Sequence, residues 1–371
     1  MLDLEAASYY LKFAEPNMAE KSEVVKNHTF ETLQVKLHDI FVDLISLYPH
    51  LGIKVFLDGV GAAGKGKLTE SLQAFGFEAI SFGSMARGLT RYALEQGYLA
   101  WKSTEEKQEK VSEFVQLIPN LQVLIEQVGI EKFIVINQYK DNQWHEAARY
   151  NMHTDLGDVA VTQNISFIAG LEAVCDLLDT SLIEMTAKTQ HIVLDGRDNV
   201  ARRTPTEEEF AYKLAQSQEM KVLTYYVYVF AEQEARIERA KKRRVDELQR
   251  KGIQLSEEGM QAELEGVAQS IIARDYGDIT RTKGALMSPE KARVSDKYQL
   301  FFDTTNYSIE EMDLLFLANL LAHVFPSIGL LLLEEVELYF EVKELTDPTQ
   351  KTSSENASIA ELPKQVVFSV I

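Results

Sequence analysis

The stretch Asp58–Lys67, DGVGAAGKGK, follows the apolar run IKVFL and precedes the helical pattern LTESLQAF. Gly59, four residues, then Gly64 and Lys65 is the spacing of a phosphate-binding loop. Residues without obstructing side chains, Gly59, Gly61, Ala62, Ala63, Gly64 and Gly66, let the backbone curl its N–H groups around a polyphosphate, and Lys65 adds a point charge. The following helix, starting near Gly66, directs its N-terminal dipole at the same anion. A plain strand-to-helix turn is the competing reading, and the lysine together with the flanking strand and helix disfavours it. After Lys65 come Gly66 and Lys67, so the Ser or Thr that usually touches magnesium is missing. A metal there has to be held through water or by another residue.

The chain has 371 residues, 46% of them hydrophobic, enough for one large or two modest domains with a full core. Its formal net charge of −19 disfavours nonspecific binding to nucleic acid or to an anionic membrane, because both require a basic surface. Small molecules and proteins are the expected partners. The single cysteine, Cys175, rules out an intramolecular disulfide and a cysteine-rich zinc site, and is expected in the core of a cytoplasmic protein. The start, MLDLEAASYY, lacks the basic-then-apolar pattern of a signal peptide. From Met312 to Leu333 the chain is apolar, but Asp313, Asn319, His323 and Pro326 interrupt it. A buried amphipathic helix ending before Pro326, followed by a strand-like segment, is expected rather than a membrane span.

Working outward from the loop, residues 1–50 read as a helical extension with an apolar stripe of Leu37, Ile40, Phe41, Leu44 and Ile45. Five short apolar runs then alternate with helical patterns: 53–58, 77–81, 191–196, 225–230 and 299–305. That rhythm predicts an α/β fold, a parallel sheet covered by helices on both faces. Two long insertions, 98–185 and 232–290, read as subdomains. Residues 326–371 read as a β-prone appendage, from LLLLEEVELYFEV and the terminal QVVFSVI.

Ligands of open α/β sheets collect at the carboxyl ends of the strands. Arg87 follows the second predicted strand, and Asp195, Arg197 and Asp198 follow the third. Guanidinium groups there suit bidentate phosphate contact; an ion-pair network closing the strand ends is the alternative. The basic run Arg236, Arg239, Lys241, Lys242, Arg243 and Arg244 is either a solvated, salt-bridged helix face or a mobile cover over donor phosphates. Arg274 and Arg281, seven residues apart, fall on one helix face beside Asp275 and Asp278. Phosphoryl transfer unites these groups, since it needs a donor cradle, magnesium, and cations around the group in flight.

The ordered set GVGAAGKGK, GSMARGLTRYALEQG, VLDGRD, ARIERAKKRRVDELQRKG, ARDYGDITR and FFDTTNYSIEE resembles the bacterial cytidylate kinases, from Ile53 to about His323. The resemblance implies a P-loop NTPase fold with a five-stranded parallel sheet, a monophosphate-binding insert at 98–185, and a lid within 232–290, all in a core spanning 51–325. It implies transfer of the γ-phosphate of ATP, with Mg2+, to CMP or dCMP. Lys65 and the loop residues through Lys67 would hold the donor, with Arg239 and Arg243 in the lid. Arg87, Arg197, Arg274 and Arg281 match arginines that grip the acceptor phosphate or the phosphoryl group. Asp198 and Asp278 match acidic positions near the acceptor nucleoside, and Asp195 would organise magnesium through water. The terminal extensions are candidate protein contacts.

Departures accompany the match. The family pattern D-S/T-G-A-x-Y-R is replaced by Ser81, Phe82, Gly83, Ser84, Met85, Ala86 and Arg87, the loop threonine by Lys67, and an arginine by Gly277. Thr162 and Gln163 match a Ser-Gln pair of the insert, while Glu172 or Ala173 stands where an arginine is expected. A kinase of another monophosphate or small molecule, and a noncatalytic nucleotide-binding protein, are the alternative readings.

Overall fold

The computed structural model describes residues 30–129, 131–157, 159–186, 189–196, 221–280, 285–326, 332–334, 336–337 and 339–340. The chain divides into two compact units, one comprising Val42–Asp313 and the other Met1–Phe41 with Leu314–Ile371.

The larger unit is built on β1 (Leu51–Gly59), a strand buried along its whole length. Apolar residues facing both ways mark such a strand as the middle of a sheet covered on both faces. With β2 (Glu78–Ser81), β6 (His191–Asp195), β7 (Lys221–Phe230) and β8 (Leu300–Asp303), it forms a five-stranded sheet in the order β2-β6-β1-β7-β8. Every pairing is parallel, with Leu57 opposite Asp195 and Gly59 opposite Val229. The five strands predicted from the sequence are these five. Because β1 has later strands on both sides, connections leave it in opposite directions, and the crevice at its carboxyl end is where such sheets bind ligands. Helix α1 (Phe30–Leu47) precedes β1, and α2 (Lys65–Ala74) follows it directly.

After β2 comes α3 (Phe82–Glu95), and the first insertion then carries α4 (Thr104–Leu117), an antiparallel sheet of β3 (Leu121–Val128), β4 (Glu131–Lys140) and β5 (Gln143–Asn151), then α5 (Val159–Ile168) and α6 (Glu172–Thr186). It shares one core with the main sheet. Phe56, Ile80, Ile192 and Leu194 of the parallel strands pack in the same buried cluster as Met85, Phe114, Ile134, Ile136 and Val174. Cys175 is buried and donates to the Ala169 carbonyl at 3.2 Å, as a core cysteine should. The second insertion is a helical hairpin, α7 (Gln233–Arg250) and α8 (Glu257–Thr280), followed by the short α9 (Pro289–Arg293) and, after β8, by α10 (Ile309–Val324). Arg244 ties α7 to α8 through Glu263 at 2.8 Å.

In the smaller unit, the β-prone reading of the tail, 326–371, is corrected over the few residues of it that are described; 341–371 lie outside them. Its described residues, 332–334, 336–337 and 339–340, are helical. Leu332, Leu333 and Val336 are buried while Glu334 and Glu337 are exposed, a period of 3.6 rather than 2. The leucines and glutamates are strong helix formers and outweigh the β-branched and aromatic residues among them. Phe30 and Tyr339 meet with ring centroids 6.1 Å apart. The segment QVVFSVI lies outside the described residues. No described helix is long and apolar enough to cross a membrane.

At the amino end of β1 the sheet buries a cation. Lys54 is 1% exposed and donates to the Thr189 carbonyl. Burial pushes its pKa down from 10.5 to about 7, against the opposing pull of Glu78. His191 beside it is pushed down to about 4 by burial first and by Lys54 second. A lysine depressed in the folded state costs stability wherever the unfolded chain holds its proton and the folded chain does not hold it freely. That cost is complete below about 7 and vanishes above 10.5. Between those values stability should climb by about 1 kcal/mol per pH unit from this group alone. Denaturant unfolding at pH 7.5 and 9.5 checks it: Lys54→Met should stabilise the protein at pH 7.5, and the gain should shrink at pH 9.5.

Candidate active site

The loop after β1 is held in a conformation few residues adopt. Gly59 ends the strand at φ 131°, and a Cβ there would lie 2.0 Å from the Val229 carbonyl oxygen of β7. Ala62 and Gly64 are left-handed, at φ 58° and 106°. For Ala62 this costs about 1–2 kcal/mol. Gly64 is the N-cap of α2 and offers no side-chain cap. As a result, the amides of Ala62, Ala63, Gly64 and Gly66 meet no acceptor among the described residues. Lys65 is 7% exposed, and its Nζ arches back to donate to the carbonyls of Gly59 (2.8 Å) and Val60 (2.9 Å). Unsatisfied amides at a helix N-terminus, next to a lysine ammonium, fit a polyphosphate anion.

The rest of the loop is fastened from outside. The Gly61 amide donates to Asp275 Oδ1 at 3.1 Å, and the Gly61 carbonyl accepts from Arg236 at 3.1 Å. Arg236 and Asp275 are an ion pair, 6% and 9% exposed, and Arg236 Nε also donates to the Ala231 carbonyl at 2.9 Å. Gly61, expected among the donor contacts, therefore serves as an anchor: its amide is taken. Thr304, at the end of β8, donates to the Ala63 carbonyl at 2.7 Å. Arg239, also expected to reach the donor phosphates, instead donates to Thr304 Oγ1 at 3.0 Å and to the carbonyls of Thr304, Thr305 and Tyr307. The turn after β8 leaves those carbonyls without strand partners, and a guanidinium fork satisfies several at once. Sequence reasoning missed Arg236, Asp275 and Thr304 as parts of the site. Their arginine, aspartate and threonine motifs were visible, but not their convergence on one loop.

Arg87 on α3 donates to Thr162 Oγ1 on α5 and to the Leu156 carbonyl, both at 3.2 Å. The sequence-matched arginine and the insert's hydroxyl residue thus stand together. Phe82, in place of a family hydroxyl, is buried in the core cluster with Met85 and Ala86. Ser81 caps α3 by accepting from the Ser84 amide at 3.2 Å. Arg274 Nε lies 3.9 Å from Asp278 Oδ2 on the next turn of α8, with Asp278 buried and Arg274 43% exposed. Arg243 is exposed on α7. Arg197, Asp198 and Arg281 lie outside the described residues.

Asp195 ends β6 between Leu57 of β1 and Ser81 of β2, at the carboxyl edge of the sheet. No group of three His, Cys, Asp or Glu that could hold a metal occurs among the described residues. Mg2+ carried on phosphate oxygens with most of its water shell would need no more than outer-sphere contact from a carboxylate such as Asp195. Lys67 pairs with Glu70 at 2.6 Å, both exposed, a bond worth under about 1 kcal/mol that leaves the ammonium available to a stronger anion. Behind the same helix Asp313 is pushed up to about 6, by burial first and by Glu310 and Glu70 after it. A cavity of about 670 Å3 lies away from the loop, lined by Arg91, Glu95, Arg149 and Tyr150 among others. Arg91 and Tyr150 donate to Glu95, and Arg149 to Glu126 and Glu146, so it is a salt-bridged groove of the insert.

A family model described as cytidylate kinase matches residues 55–313, from the middle of β1 to the first turns of α10. The chain belongs to the cytidylate kinase family. It is 26% identical over 245 residues to the cytidylate kinase of Parabacteroides distasonis, covering 66% of this chain and 89% of that protein. Over 244 residues it is 27% identical to the cytidylate kinase of Alkaliphilus metalliredigens, covering 66% and 88%. Over 266 residues it is 26% identical to that of Clostridium botulinum, covering 71% and 94%. The match to the cytidylate kinase family spans the loop, the insert, the α7–α8 hairpin and the β8 turn.

The loop geometry sets a direct expectation. Gly59→Ala drives a methyl group into the Val229 carbonyl and should cost about 3 kcal/mol or more. Gly66→Ala, where a Cβ meets nothing within 4 Å, should leave stability nearly unchanged. Thermal unfolding of the two variants beside the wild type makes the comparison; equal melting temperatures would contradict the strained loop.

Proposed function

We propose that this protein is an ATP-dependent nucleoside-monophosphate kinase that phosphorylates CMP or dCMP. The observation carrying the reading is the loop itself: four amides without acceptors among the described residues and a buried lysine, in a chain of the cytidylate kinase family. In this reading Ala62–Gly66 and Lys65 hold the donor phosphates, and Lys67 turns from Glu70 toward them. Asp195 would hold a Mg2+ ion through water, and that ion would supply charge screening to the triphosphate. Arg274, Arg197 and Arg281 surround the phosphoryl group, with Arg243 on the lid. Arg87, steadied by Thr162, receives the acceptor phosphate, while Asp198 and Asp278 face the nucleoside. The protein's part is positioning and charge stabilisation rather than covalent chemistry. Closure of the α7–α8 hairpin over the site would exclude water and prevent hydrolysis of ATP.

Phe82 and Ala86 favour a second reading, in which the same chemistry serves another monophosphate. Both positions are buried in the core cluster, so neither supplies the hydroxyl that the family places there. Losing a hydrogen bond to a bound nucleotide costs about 1–3 kcal/mol, enough to shift preference tenfold or more.

An assay of ADP formation against each ribo- and deoxyribonucleoside monophosphate decides between them. CMP or dCMP should give the highest kcat/KM. Preference for UMP, AMP or GMP would keep the kinase and reject the acceptor, and absence of turnover with every acceptor would reject both.

A further inference from the structure

A trans peptide points its C=O and the following N–H in opposite directions. Fixing one therefore aims the other. Asp275 Oδ1 accepts from the Gly61 amide, which turns the Val60 carbonyl the other way, and that carbonyl accepts from Lys65 Nζ at 2.9 Å. Arg236 donates to the Gly61 carbonyl, which turns the Ala62 amide away from Arg236; that amide is one of the four that meet no acceptor among the described residues. One side-chain pair thus orients both an amide and the lysine of the loop. It does so from two helices, α7 and α8, that lie 39 residues apart along the chain at these positions.

We propose that Asp275 and Arg236 are positioning residues of the donor site, a buried clip on both backbone polar groups of Gly61 that aims Ala62 N–H and Lys65 Nζ at the ATP phosphates. The proposal rests on the reading of this loop as the donor site. Neither residue touches the nucleotide. Arg236 is oriented by its own bond to the Ala231 carbonyl at the end of β7, so the clip refers the loop to the sheet. Without Asp275, Arg236 loses its buried counterion and Gly61 its acceptor, and the left-handed turn at Ala62 is free to relax to a lower-energy conformation with its amide turned away.

Two full-length variants test this, Asp275→Ala and Asp275→Asn, the second keeping a side-chain oxygen for the Gly61 amide. Titration calorimetry with Mg-ATP should show binding weakened about tenfold or more by Asp275→Ala and less by Asp275→Asn, with CMP affinity within about twofold of wild type. Hydrogen exchange on the nucleotide-free protein should find the Gly61 amide protected in the wild type and in Asp275→Asn, and fast in Asp275→Ala. Amides of β4 should exchange as before, separating local release from general loosening. Unchanged ATP affinity with an unprotected wild-type Gly61 amide overturns the clip. Tighter ATP binding in Asp275→Ala also overturns it, because the carboxylate would then be competing with phosphate for the loop. If the wild type binds ATP but phosphorylates no acceptor, the kinase reading fails while these binding and exchange results still judge the clip. Should the wild type bind no ATP, both fall.

Discussion

The geometry of the planar peptide governs this site. A loop can turn several amides inward only if the carbonyls linked to them turn outward, and outward carbonyls need donors. Here the carbonyl joined to the Ala62 amide, that of Gly61, has Arg236, and the carbonyl joined to the Gly64 amide, that of Ala63, has Thr304, while Lys65 takes the carbonyls of Gly59 and Val60 just before them. The left-handed residues Ala62 and Gly64 supply the reversal in direction. A buried hydrogen bond from a charged donor is worth about 1.5–3 kcal/mol, more than the cost of one left-handed alanine. The loop can thus be held open for an anion before any anion arrives, which is electrostatic preorganisation in structural form.

That requirement explains the placement of the surrounding elements. Gly59 allows β7 to run against the last residue of β1, which brings Ala231 and the start of α7 beside the loop. Helix α7 then presents Arg236 to Gly61 and, one turn later, Arg239 to the turn after β8. Thr304 in that turn closes the circuit back to Ala63. The base of the α7–α8 hairpin is fastened to the sheet and the loop by these contacts. Arg244, Lys241 and Arg243 farther along α7 face solvent or surface glutamates. A basic run that looks uniform in sequence divides in space: its first arginines fasten the loop after β1 and the turn after β8, and its later cations face solvent or surface glutamates.

Much of the architecture was legible in the sequence because its cause is local. IKVFL and the other four runs are apolar on both faces, and the helical patterns between them leave few arrangements besides a parallel sheet. The glycines and lysine of the loop were legible for the same reason. Non-local contacts were not. Arg236 and Asp275 each stood in a charged cluster, yet nothing in either segment indicates that both reach Gly61. Arg239 reaches the carbonyls after β8, a placement its sequence does not indicate, because an arginine near phosphates and an arginine near carbonyls look alike in a sequence. The described tail residues, 332–334, 336–337 and 339–340, were misread because valine, tyrosine and phenylalanine were weighed as β formers rather than by the spacing of the buried Leu332, Leu333 and Val336. Phe82 reads as a lost hydroxyl in the family pattern, whereas in the fold it is a core residue of α3.

The central claim is that the triphosphate of ATP sits on amides 62–66 of a loop anchored at Gly61. Titrating Mg-ATP into isotope-labelled protein and following the backbone amide resonances tests it directly. The resonances of Ala62, Ala63, Gly64 and Gly66 should move most, with Gly61 remaining slow to exchange in the complex. Saturable shifts centred elsewhere, with those four unmoved, would contradict the account.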